Sequence, residues 1–337
     1  MHLAALPNDR IILVLGAPRS GTSWLGKAFD SHPEIILRHE PDTVLRESRL
    51  PGVCLPAEID QNLDLARDYL HRLMDVRTLK TSGQLPLYPK SYQAMATRYL
   101  RTGIVLGLHV AEKALGLRNV LRAVPIPDLI TRRDTSGMRL VIKSVSSLGR
   151  ARLFARALPG VRIVHIIRSP FGQVASVMRG LKENRFEDPS AVEEVLQTRL
   201  AAAYGLTEDK LRAMPVVEQL AWHWSILNQL ALEELADMPN VQTVRYMDMV
   251  LDPIGETRKI FANCDLTWHD QTVRFLRKTT SFSGPDLYYQ VYKNGTEPLF
   301  KWRQDLARDD VSRILDVVKA TPVSKIYPEL DGWAATA

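Results

Sequence analysis

Residues Arg10-Ile-Ile-Leu-Val-Leu-Gly-Ala-Pro-Arg-Ser-Gly-Thr-Ser-Trp-Leu25 constrain the fold more than any other stretch. The run Ile11 to Leu15 is apolar and β-branched, the pattern of a buried strand. Gly16 and Gly21 bracket a tight turn, and Thr22 to Phe29 reads as the start of a helix. Strand, glycine loop and helix in that order aim backbone N–H groups and a helix N-terminus at a phosphate-like anion. The chain is therefore expected to hold an anionic group at the end of a parallel strand.

The loop departs from a nucleoside triphosphate site. That site reads GxxxxGK[ST], with a lysine on the β- and γ-phosphates and a hydroxyl on Mg²⁺. Here Gly16 and Gly21 have the spacing, but Thr22-Ser23 follows directly and the cation lies inside the loop as Arg19. A loop that grips one terminal anion without a metal has this form. An ordinary strand–turn–helix is the alternative.

Val161-Arg-Ile-Val-His-Ile-Ile-Arg-Ser-Pro-Phe-Gly-Gln-Val-Ala-Ser176 opens with a second buried-strand run over 161–167. The run ends in Arg168 and turns through Ser169-Pro170 into a helix carrying Ser176. An arginine forks onto phosphate through two N–H groups, and a serine in the next helix can add a third donor. Together, Pro18-Arg-Ser-Gly-Thr-Ser-Trp24 and the Arg168–Ser176 pair resemble the sulfotransferases that use 3′-phosphoadenosine-5′-phosphosulfate (PAPS). The resemblance implies that Pro18, Arg19, Ser20, Gly21, Thr22, Ser23 and Trp24 cradle the 5′-phosphosulfate. It also implies that Arg168 and Ser176 grip the 3′-phosphate.

Further pieces resemble the same family. Arg139-Leu-Val-Ile-Lys143 is a short strand ending in lysine. Val241-Gln-Thr-Val-Arg-Tyr246, followed by Met-Asp-Met-Val, is similar to the family segment whose tyrosine lies by the adenine. Tyr292-Lys-Asn294 and Phe300-Lys-Trp-Arg303 resemble the C-terminal cofactor loop, which implies Lys301 and Arg303 as ligands. Cytosolic members place a histidine base two residues after the strand lysine, but here Lys143-Ser144-Val145 stands instead. The segment Ile35-Ile-Leu-Arg-His-Glu-Pro41 is similar to the carbohydrate and protein-tyrosine enzymes, where a glutamate acts as base. The implied catalytic set is Glu40 as base, with Lys143 and Arg19 neutralising the leaving phosphate. His39 adjoins Glu40, and on an extended segment their side chains should point apart. A structural ion pair of Glu40 with Arg38 or Arg46 is the competing reading. His109 is the next base to consider.

Composition fits this reading. Of 337 residues, 45% are hydrophobic, and the formal charge of +6 suits an anionic ligand. No run of five basic residues, RNP aromatics or zinc spacing points to nucleic acid or to a metal. Cys54 and Cys264 are expected as reduced thiols. Met1 to Asp9, ahead of the first strand segment, are expected to be too short for a signal peptide or anchor, and a cytoplasmic location is expected.

Strands are expected at 11–15, 35–38, 139–143, 161–167 and 241–246, with helical patterns between them. That alternation implies an α/β, P-loop-like parallel sheet with helices on both faces. One domain over 1–337 is expected, with 41–138 as a helical, acceptor-binding insertion. Helices are expected near 60–77 and 90–102 in it, and over 215–237 further on. On the last of these, His223 and Asn228 read as surface or packing residues. The apolar stretch Gly103 to Leu117 is expected in the core, against the alternative of a membrane-facing surface. An acidic helix over 187–211 is expected as an opposite wall.

The expected function is PAPS-dependent transfer of a sulfuryl group to a small-molecule or glycan hydroxyl, without metal. A homodimer is compatible with this reading. The rivals are a P-loop kinase or NTPase and a non-catalytic nucleotide-binding module. The kinase lacks its loop lysine and any strand ending in an acid; the module would have no use for Glu40 and Lys143.

Overall fold

In the computed structural model, described residues are 3, 6–116, 121, 124–132, 135–184, 191–280 and 296–335. Five strands form one sheet: β1 (Ile11–Leu15), β2 (Ile35–His39), β3 (Arg139–Ser144), β4 (Arg162–Ile167) and β5 (Val241–Arg245). Their order is β2-β3-β1-β4-β5, and every neighbouring pair is parallel. All of β1 is buried, which is why it reads as an unbroken apolar run. β5 is an edge strand and carries the polar Gln242 and Thr243.

The chain leaves the central β1 toward β3 and β2, then returns on the other side to β4 and β5. Such a reversal opens a crevice at the carboxyl ends of the strands. Register fixes what meets there. Lys143 lies level with Val14 and His39, so Glu40 follows one step beyond. Ile167 lies level with Arg245, so Arg168 and Tyr246 emerge side by side.

Helix α1 (Thr22–Asp30) continues from the β1 loop. Between β2 and β3 lie α2 (Ile59–Met74), α3 (Leu79–Ser82) and α4 (Met95–Leu115). α5 (Pro170–Lys182) starts after Ser169, whose hydroxyl accepts from Gly172 N at 3.3 Å, with Pro170 in the first turn. α6 (Val216–Leu235) crosses the core with Trp224 and Asn228 buried. As expected for packing residues, Asn228 donates to Trp224 O at 2.7 Å, and His223 meets Glu194 at 2.6 Å.

Two expectations fail. The acidic stretch is not one helix: Ala191–Leu196, Arg199–Ala203 and Glu208–Ala213 are separate, two of them capped by Thr198 and Thr207, and 185–190 lie outside the described residues. Threonine hydroxyls that accept from the first turn start new helices rather than extend old ones. The apolar stretch after Gly103 is not core either. Its residues 103–115 lie within α4, where Val105 is the buried residue, while Leu106, Val110 and Leu115 are exposed, and Leu117 lies outside the described residues. Both cysteines are free and buried, as expected of reduced thiols.

Candidate active site

The β1 loop is held open by backbone that only special residues tolerate. Gly21 has φ 103°, and a Cβ there would run into the Tyr246 ring. At Gly16 a Cβ would sit 2.7 Å from Ile166 O. Arg19 also takes a left-handed conformation, φ 72°, a strain that non-glycine residues seldom bear. Ser20 Oγ is buried and meets no partner among the described residues. A buried hydroxyl without a partner costs free energy unless a ligand completes it.

The left-handed turn sends Arg19 toward α5, where its Nε donates to Ser176 Oγ at 2.9 Å. Arg168 reaches the same place from β4. Its guanidinium donates to Arg19 O at 3.2 Å and Pro298 O at 3.0 Å, and lies over the Tyr246 ring at 5.1 Å. Burial pulls the Arg168 pKa down, and Arg19 adds to this. An anion would relieve both effects. The structure thus brings together Arg19, Arg168, Ser176 and Tyr246.

The C-terminal pieces divide. Pro298 lies against Arg168, and Trp302 is buried on Phe171 with ring centroids 4.7 Å apart. Arg303 lies over the Phe300 ring at 4.7 Å, and Lys301 is half-buried next to it. Residues 292–294 lie outside the described residues. In the β1 loop Pro18 and Ser23 are exposed and Thr22 is buried. Trp24 donates its indole N–H to Thr279 Oγ1 at 3.3 Å.

On the other side of β1, Lys143 and Glu40 form an ion pair. The lysine is 1% exposed. Burial pulls its pKa down, and the Glu40 carboxylate offsets this only in part. Burial alone would push Glu40 up, but the charge and hydrogen bond of Lys143 hold it below the usual carboxylate range. Arg38, the competing partner, instead makes a two-pronged pair with Asp128 at 2.6 and 3.1 Å. Strand alternation sends Arg38 to the face opposite His39 and Lys143, which lie level with each other.

His39 and Glu40 do not point apart. Glu40 leaves the extended conformation at φ 48° and ψ 51°, which swings its carboxylate to 3.8 Å from His39 Nε2. His39 titrates only at about 3, chiefly through burial and then through Lys143, so its ring is neutral near pH 7. His109 lies on α4 with its Nε2 2.9 Å from Gly83 O.

Three contacts fix the Glu40 turn. Glu40 N donates to Lys143 O at 2.8 Å, and Thr43 Oγ1 to Glu40 O at 2.7 Å. Lys80, from α3, donates to Thr43 Oγ1 at 2.5 Å. Below them Asp42 accepts from Ser144 Oγ at 2.5 Å, which leaves Ser144 Oγ to accept from Ser147 Oγ at 2.7 Å. Burial raises the Asp42 pKa. Sequence reasoning missed Asp42, Ser144 and Lys80; the signal available was their adjacency to Glu40 and Lys143, and for Lys80 there was none.

A parallel α/β sheet with a glycine loop after its central strand, two arginines on one side of that strand and a Lys–Glu pair on the other defines a P-loop-like α/β protein. The chain belongs to the sulfotransferase family, whose model matches residues 11–270. It is therefore an enzyme of sulfuryl transfer. Solved structures resemble it at low identity. The sulfotransferase domain of the curacin biosynthetic pathway is 14% identical, with 93% of this chain and 98% of that one covered and a TM-score of 0.42. The sulfotransferase domain of the Synechococcus PCC 7002 olefin synthase is 15% identical, with 91% and 93% covered and a TM-score of 0.42. Mouse sulfotransferase SULT7A1 complexed with PAP is 11% identical, with 98% and 90% covered and a TM-score of 0.45. No curated protein matches the chain in sequence. Among the described residues no helix is long and apolar enough to cross a membrane.

Proposed function

We propose that the chain moves the sulfuryl group of PAPS to an acceptor hydroxyl, with Glu40 as general base. The observation that carries this is the Lys143–Glu40 pair at the ends of β3 and β2, beside a glycine loop with an uncompleted Ser20 hydroxyl. Ser20, the loop N–H groups, Arg19, Arg168 and Ser176 fit a donor with two separated anionic groups. The missing side chain of Gly21 lets the Tyr246 ring lie directly against the loop backbone. Arg19 influences both Lys143 and Arg168 electrostatically, so it stands between the two halves of the site. Lys301, Arg303, Pro18, Thr22, Ser23 and Trp24 remain part of the proposed donor site through the family resemblance.

PAPS supplies an activated sulfur–oxygen bond whose leaving group is a phosphate. Glu40 takes the acceptor O–H proton as the acceptor oxygen bonds to sulfur, and the bond to the phosphate breaks with its electron pair. Lys143 and Arg19 neutralise the charge that grows on that phosphate. The resting pair implies an order. Lys143 must turn from Glu40 to the donor before Glu40 can act. Once released, the buried carboxylate rises in pKa and becomes a better base.

Residues 41–138 are proposed as the acceptor-binding part of one domain. Lys80 and α3 from this segment already stand against the Glu40 turn. The acceptor class is a carbohydrate, glycolipid or small-metabolite alcohol, following the Glu40-Pro41 resemblance. The test is transfer from labelled PAPS to a panel of such alcohols in excess EDTA. Labelled sulfate ester is expected at undiminished rate. Loss with chelator and recovery with Mg²⁺ would overturn the metal-free reading, and ATP use in place of PAPS would favour a kinase.

A further inference from the structure

Helix α4 carries a face that the described fold leaves in the open. Met95, Tyr99, Leu100, Leu106, Val110 and Leu115 are between 45% and 68% exposed. A Cβ built on Gly103 or Gly107 would meet nothing within 4 Å. Two glycines inside a 21-residue helix weaken it relative to alanine. An exposed apolar stripe of this length marks a contact surface.

The order of residues says what kind. Ala96, Leu100, Gly103, Gly107, Val110 and Ala114 are spaced four, three, four, three and four apart. That is the seam of a paired helix, with apolar residues repeating every 3.5 positions. All six are exposed. The seam is also palindromic about residue 105. In an antiparallel pair of identical helices, Ala96 faces Ala114, Leu100 faces Val110 and Gly103 faces Gly107. Small always meets small, and large meets large. Exposed Met95 and Leu115 close the two ends against each other.

We propose that α4 is a dimer interface, taken by α4 of a second copy running antiparallel across a two-fold axis at the level of residue 105. A two-fold contact requires self-complementarity, and this seam has it. The glycines let the backbones approach closely, so Leu106 and Tyr99 can pack on the flanks. Charge agrees, because Lys113 is the one charged residue among the exposed positions of α4. Glu112 is half-buried and turned to His109, 3.8 Å away. A lipid surface is the less fitting occupant. Helices that lie on membranes present bulky apolar residues with many basic residues beside them. Here four of six seam positions are glycine or alanine. Arg101 and His109 tie α4 to Ser82 O and Gly83 O at 2.7 and 2.9 Å, so the contact would brace α3 and Lys80 beside Glu40.

Sedimentation equilibrium of the full chain at micromolar concentration tests this. Wild type is expected as a dimer. Val110→Glu puts a charge into the seam at a site 68% exposed in one copy. It should weaken the dimer at least about 100-fold, because a buried unpaired charge is costly. Its melting curve, extrapolated to low concentration, should match wild type. Ala96→Cys with Ala114→Cys should form an intermolecular disulfide under mild oxidation. Ala96→Cys alone should not, because the two copies of position 96 lie ~27 Å apart along the antiparallel axis at 1.5 Å per residue. The buried Cys54 and Cys264 do not compete. A wild-type monomer, a dimer indifferent to Val110→Glu, or a disulfide in Ala96→Cys alone would each overturn the proposal. A monomer that sediments with anionic vesicles, and loses this with Val110→Glu, would assign the face to a lipid surface instead.

Discussion

The two sides of β1 end in different kinds of charge. Toward β4, Arg19 donates to Ser176, and Arg168 meets the Arg19 and Pro298 carbonyls and the Tyr246 ring. Toward β3 and β2, Lys143 is matched by the Glu40 carboxylate. On the first side burial lowers the Arg168 pKa, a cost that an arriving anion would relieve. The second is neutral as a pair and can release both a cation and a base. In the proposed function, binding and chemistry are thus divided across the central strand, with Arg19 reaching from the loop toward Ser176.

That division is most sharply tested by Glu40→Gln, which keeps shape and hydrogen bonding but removes the basic oxygen. Turnover should fall about 10²-fold or more, the scale of a general base. Affinity for 3′,5′-adenosine bisphosphate should stay near wild type, and His39→Asn should do little. Unchanged turnover in Glu40→Gln with loss in His39→Asn would move the base to the histidine.

On the binding side, Arg168→Ala removes a charge-assisted contact of roughly 1.5–3 kcal/mol. Calorimetry should show about 10- to 150-fold weaker 3′,5′-adenosine bisphosphate and a much smaller change for 5′-AMP. Equal losses for the two ligands would place Arg168 elsewhere.

A positioning role is expected for Asp42, which holds the end of β3 through Ser144. Asp42→Ala should lower kcat about tenfold, a modest loss of base alignment, with KM for PAPS unchanged. Asp42→Asn should restore most of it. Failure of the asparagine to rescue would mean that the carboxyl's charge matters rather than its hold on Ser144.

The smallest effect is in the pH profile. In the free enzyme Glu40 is held below the ordinary carboxylate range, and His39 titrates only at about 3. Both are thus already deprotonated above pH 5. On the acid side kcat/KM, which reports the free enzyme, should stay flat from about pH 5.5 to 7. An inflection near 6.5 that disappears in His39→Asn would assign a working role to the histidine.

Much of this frame was readable in the chain. The expected strands lie within about a residue of β1 to β5, because parallel strands buried on both faces require continuous apolar runs. The glycine loop was legible because a tight turn restricts residue type at short spacing. What failed has physical causes too. The stretch after Gly103 was expected in the core, but apolar character alone does not say which molecule covers it. The 187–211 helix was broken by threonine caps that compete locally with helix continuation.

By itself the sequence determined the sheet, its loop and the identity of the charged groups, since these rest on local pattern. Only tertiary structure decided which charges meet. Lys143 and Glu40 are 103 positions apart. They pair because β2 and β3 lie side by side and Glu40 turns left-handed at the strand's end. Arg19 reaches Ser176 across 157 positions because β1 and β4 are neighbours. Long-range register has no signature in the composition of either segment, and it is fixed by burying both strands in one sheet.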